Sequence, residues 1–173
     1  MRVRVVAAGA VVSTLAACGS GGVPPKEWAR DVCLAVKPWS TQIDASVTQA
    51  RQQITGGTDP TKTKAELVAL FSGAQQASAD AVAKVRKAGT PDAENGEQVA
   101  AQFSAALVAA QKNFGRAADG VAALPTKDRS VFDDGVVKVG DQLSKDNNAS
   151  TRQLGDVRSK DLEKAFAAVS ECR

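Results

Sequence analysis

The chain has no histidine and no tyrosine, and its one methionine is Met1. Without imidazole there is no His-based acid–base or nucleophile pair and no His-ligated metal, and haem ligation by His, Tyr or Met is excluded as well. Di-iron helical bundles need Glu-x-x-His, which this sequence does not contain. Calcium-loop, P-loop and nucleophile-elbow patterns are also missing. No cofactor and no enzymatic activity are therefore expected. Aromatic residues make up only 4% of the 173 positions. The 43% that are hydrophobic nevertheless suffice for one folded domain and exclude a wholly disordered chain. An excess of positive charge is lacking too. The formal net charge is +3, but Arg2 and Arg4 fall in a segment with export-signal character, and without them it is +1. So small a surplus gives no reason to expect a nucleic-acid partner.

That segment opens with Arg2 and Arg4, runs through an apolar stretch from Val5 to Leu15 and ends in Leu15-Ala16-Ala17-Cys18. Eleven apolar residues are too few to span a bilayer, which takes about 20, and they match the h-region of a secretory signal. Leu-Ala-Ala-Cys resembles the lipobox of bacterial lipoproteins. That resemblance implies removal of residues 1–17, leaving 156, and a Cys18 that becomes the first residue and carries a diacylglyceryl group, with palmitate among its acyl chains. The protein is then expected on the extracytoplasmic face of the cell membrane, where two acyl chains provide stable anchoring and one alone would be marginal. Residues 18–25 read as a short tether, rich in glycine and closed by Pro24-Pro25. The folded body is expected over 26–173.

With Cys18 assigned to the lipid, Cys33 and Cys172 remain. In an oxidising compartment such a pair normally bridges, so a Cys33–Cys172 disulfide is expected. Their distance in sequence is unlike that of a redox C-x-x-C pair.

The body reads as all-α. Apolar residues recur at steps of three and four, and no stretch alternates at period two. A first helix is expected over 26–55, with Trp28, Val32, Val36, Trp39, Ile43 and Val47 on one face and a kink at Pro38. Asp59-Pro60 and Thr90-Pro91 each read as an N-cap followed by proline, opening a second and a third helix. The third, over 91–124, carries the most regular seam, from Val99 through Phe103, Leu107, Ala110, Phe114, Ala117 and Val121 to Leu124. A fourth, near 126–147, carries Phe132, Val136, Val139 and Leu143, and a last stretch over 159–171 carries Leu162, Phe166 and Val169. Short connections imply an up-down antiparallel four-helix bundle. The last two stretches together match the third helix in length, which suggests a bipartite last helix. The capping box Ser150-Thr151-Arg152-Gln153 leaves open a restart there and a fifth helix that doubles back.

Several side-chain patterns carry two readings. Trp28 and Trp39 lie three turns apart on one face, either as core anchors whose indole N–H groups need partners or, for Trp28, at the lipid interface. Acidic and basic residues interleave from Lys127 to Lys164 as a solvated surface, with expected pairs Asp134–Lys138 and Asp141–Lys145. Gly120, Gly135 and Gly140 flank the seam, where the third and fourth helices can approach closely. Residues 67–79 and 98–111 carry no charge, and their non-core positions include Gln75, Gln76, Gln102, Ser104 and Gln111. Either both stretches are buried on two sides, or these five residues form an uncharged docking surface for an envelope protein or a wall polymer.

Apart from the lipobox, the chain resembles in style the small alanine-rich helical lipoproteins of actinobacteria. That implies location and anchoring but no activity. The function expected is a non-enzymatic interaction or accessory module of the cell envelope; the alternative is a carrier of a small apolar ligand. A pocket lined by Trp39, Phe71, Phe103 and Phe114 would favour the carrier. The 27 alanines of the 156-residue processed chain argue instead for tight packing with little cavity space.

Overall fold

The computed structural model describes residues 21–54, 57–153 and 158–173. Residues 1–17 and Cys18 lie outside them. All regular elements among the described residues are helical: α1 Pro25–Gln53, α2 Pro60–Lys87, α3 Gly96–Ala122, α4 Arg129–Gln153, α5 Lys160–Ala168 and a 3-10 turn at Ser170–Cys172. A single isolated parallel bridge joins Val23 to Pro91.

The long helices pack in chain order, each antiparallel to the one before. Between α1 and α2, Trp28 reaches Gly89 just beyond the end of α2, while Trp39 reaches Ser78. Between α2 and α3, Arg86 meets Ser104 and Gln75 lies over Gly115. Between α3 and α4, Asn113 bonds Asn147, Gly120 faces Val139, and Leu124 lies over Gly135. In each pair one residue number rises as the other falls. α4 packs along α3, and α5 with the 3-10 turn packs on α1.

Local chemistry explains most of the boundaries. The Asp59 carboxylate accepts from the backbone N–H of Thr61 at 2.8 Å and of Lys62 at 3.4 Å, with Pro60 in the first turn, so the expected cap of α2 is present. α1 continues through Pro38. Pro38 and Leu34, whose carbonyl it leaves unserved, both lie on the exposed side of the helix, where water can take that bond. Thr90-Pro91 does not open α3. The Val23 N–H donates to the Thr90 carbonyl at 2.7 Å and the Val23 carbonyl accepts from the Asp92 N–H at 2.8 Å, so residues 90–92 run as an extended segment against Val23. α3 starts at Gly96, after Asn95 in the left-handed region at φ 57°. A β-carbon on Gly22 would lie 2.7 Å from the Thr90 carbonyl oxygen, so glycine is what lets the two segments meet. The stretch proposed as a tether over 18–25 is therefore bonded to the body from Val23 onward.

α4 runs past Asn147-Asn148 to Gln153, six residues beyond the expected end, so Ser150–Gln153 does not open a new helix. A separate α5 begins at Lys160. Close approach of α3 and α4 occurs at Gly120, where an added β-carbon would lie 3.1 Å from Val139, and at Gly135, where it would lie 2.5 Å from Leu124. Gly140 faces open space, because its side of α4 has no neighbour. Likewise, no ion pair closes Asp134–Lys138 or Asp141–Lys145 among the described residues. The carboxylate of α4 that pairs, Asp146, reaches across to Arg116 on α3 at 2.7 Å.

The densest core lies where α1 begins. Trp28 is fully buried among Val32, Val85, Val99, Leu107 and Leu162, and its indole N–H donates to the Gly89 carbonyl at 2.9 Å. Gly89, at φ +75°, ends α2 in a backbone conformation that suits glycine. Phe103 and Phe166 stack with ring centres 5.7 Å apart, and each presents to Trp28 edge-on at 5.7 and 5.8 Å. Leu162, Ala165 and Val169 seat α5 in this region. The Cys33–Cys172 disulfide, with α-carbons 5.1 Å apart, ties the C-terminus to α1 as expected from the cysteine count.

Candidate ligand groove

Beyond that aromatic cluster no described residue fills the space between α1 and α3, which holds a groove of about 410 Å³. Its α1 wall is Val36, Trp39, Ser40, Ile43 and Asp44; its α3 wall is Phe103, Ala106, Leu107, Ala110 and Phe114; Asn147 of α4 forms one edge. The cause is visible in the seam of α3. Its residues recur at 103, 107, 110 and 114 as the sequence implies, but α4 sits to one side of that stripe, and the stripe holds alanine at 106 and 110. Small residues bring helices together where a partner helix is present; where none is, they leave a hollow. The expectation that abundant alanine precludes a cavity therefore fails here.

The walls are held rigidly. The Trp39 indole N–H donates to Ser78 Oγ at 2.9 Å, and Ser78, fully buried on α2, donates in turn to the Ala74 carbonyl at 2.8 Å. Both tryptophans are thus core anchors with satisfied N–H groups, and Trp28 is not at a surface. Phe103 is shared by the groove and the aromatic cluster, so one end of the groove rests on the residues that seat α5. At the α4 edge, Asn113 Nδ2 donates to Asn147 Oδ1 at 2.9 Å, and Arg116 donates to Asn113 Oδ1 and to Asp146 Oδ2, each at 2.7 Å. The Arg116 hydrogen bond, with help from Gln142, lowers the Asp146 carboxyl below its ordinary value.

Of the four aromatic residues expected around a carrier pocket, Trp39, Phe103 and Phe114 line the groove and Phe71 does not. Phe71 lies on α2, which supports the groove from behind without forming a wall. A volume of 410 Å³ falls in the range of about 300–1,000 Å³ typical of small-molecule sites, and a mostly apolar lining is typical of them too. No family model, no curated protein and no solved structure matches this chain. Geometry and chemistry alone carry the functional reading.

The five uncharged polar residues proposed as a docking surface are not brought into one patch. Gln75 is half-buried over Gly115, in the contact between α2 and α3. Ser104 accepts from Arg86 at 3.4 Å beside the same contact, and Gln111 lies at nearly the same angle on α3. Gln102, two residues before Ser104, is about 200° away around the helix. Gln76 is exposed and donates to Asp80 at 3.0 Å. Most of the charge-free positions in α2 and α3 are buried or half-buried between neighbours, which accounts for the missing charge. Among the described residues no cluster of Cys, Asp and Glu could hold a metal ion, and no helix is long and apolar enough to cross a membrane. The groove had one sequence signal, the aromatic and small residues sharing the α3 seam; Ser40, Asp44 and Asn147 at its edge had none.

Proposed function

We propose that this chain is a membrane-anchored extracytoplasmic lipoprotein without enzymatic activity, whose helical body holds a small apolar molecule in the groove between α1 and α3. The groove carries this reading: it is apolar, of ligand size, and walled by side chains fixed through Ser78 and the Trp28 cluster. In the same reading the fold is an up-down four-helix bundle whose fourth position is shared by α4 and α5. Arg2, Arg4, the apolar run and Leu15-Ala16-Ala17-Cys18 support the anchor. An accessory role through a protein or wall-polymer partner has less support, since Gln76 and Gln102 sit on different helices and different faces.

The test is titration with N-phenyl-1-naphthylamine, a neutral apolar fluorophore. Saturable binding that quenches Trp39 is expected, and Ala110→Trp, which fills the groove, should abolish it while helicity is kept. Equal binding by the filled variant, or no binding by the parent protein, would refute the assignment.

A further inference from the structure

Resting on that reading, we infer that the groove selects an amphiphile with an apolar body and a cationic head, and rejects anionic lipids such as fatty acids. Its two ends differ chemically. Toward Phe103 it is closed by the aromatic cluster and offers only apolar contact. Toward Phe114 it carries Ser40, Asp44 and Asn147. Among the described residues that line the groove, Asp44 is the one ionisable group, and no lysine or arginine joins it.

Ser40 at that end adds an acceptor. The Ser40 hydroxyl donates its proton to the Lys37 carbonyl at 3.0 Å, so it presents lone pairs to the groove. Thr48 donates to the Asp44 backbone carbonyl and not to its carboxylate. A carboxylate head would meet Asp44 with like charge and, among the described lining residues, no cation to compensate. A quaternary ammonium would gain the Asp44 charge and the π faces of Trp39 and Phe114, which attract cations. The apolar body then lies toward Leu107 and Phe103, and the head stays at the open, hydrated end.

Three probes of equal chain length decide the matter: decyltrimethylammonium, decanol and decanoate, each displacing N-phenyl-1-naphthylamine below its micelle concentration. The cation is expected to bind about fivefold tighter than the alcohol, as one unit-charge contact in water provides, and decanoate weakest. Asp44→Asn should remove the advantage of the cation over decanol. Equal affinity for the three probes, or an order that survives Asp44→Asn, would overturn the charge selection while leaving the apolar site intact. If N-phenyl-1-naphthylamine itself does not bind, the site falls and its selectivity with it.

Discussion

Replacing both bridging cysteines, Cys33→Ser with Cys172→Ser, tests how the C-terminal segment is held. The bond closes a separation of 139 residues. Chain-entropy arguments give a loop of that length about 5 kcal/mol at 25 °C, with losses wherever the reduced unfolded chain keeps structure. In a domain of this size 1 kcal/mol moves the melting temperature by about 2–4 °C, so the double variant should melt about 10–20 °C lower. The loss should not be uniform. α5 is nine residues long, too short to be stable alone, and it is seated mainly by Leu162, Ala165 and Val169. Without the bridge it should separate before α1–α4 unfold, removing Phe166 from Trp28. Circular dichroism melts with and without reductant measure the first effect. Trp28 fluorescence in a Trp39→Phe background measures the second, as an early red shift. Melting temperatures within about 2 °C of each other, or a Trp28 signal that moves only with global unfolding, would refute the reasoning.

Two serine-to-alanine changes should have opposite signs. Ser78→Ala leaves the Trp39 N–H without its partner and should cost about 1–2 kcal/mol in urea unfolding, whereas Ser159 Oγ is buried without a partner, so Ser159→Ala should be neutral or stabilising. The Asp146 carboxyl sits below its ordinary value of 3.8 because Arg116 bonds it; its contribution is present above that value and lost as pH falls through the lowered one. The stability gap between the parent and Arg116→Ala should therefore shrink on acidification below about pH 4, and a constant gap down to pH 2 would show that the pair is not responsible. Cys18→Ala should eliminate acyl labelling and move the protein from the membrane to the soluble fraction; continued membrane retention counts against the anchor.

Elements whose cause is local could be read directly. The α3 seam, the Asp59-Pro60 cap and the cysteine pairing depend on spacing, one side chain or elimination, and each stands in the structure. Thr90-Pro91 carries the same local signal as Asp59-Pro60, but Val23 competes for its backbone and wins two hydrogen bonds, so the cap is lost to a distant partner. Asn147-Asn148 looks like a helix stop, but the bonds from Asn113 and Arg116 hold that turn helical against α3, and α4 runs on to Gln153. The groove depends on which side of α3 the fourth helix takes. Periodicity shows that a stripe is apolar, and not whether another helix covers it.

The disulfide also decides what a protease can remove. Because it joins residue 33 to the penultimate residue, a single cut anywhere from α2 to α5 yields two pieces that remain one covalent molecule. Neither piece can diffuse away, and the helices on each side of the cut can re-dock without a search through solution. Under the proposed N-terminal anchor, surface nicking would leave the mass at the membrane unchanged. The damage would appear only after reduction, as a second band on a gel.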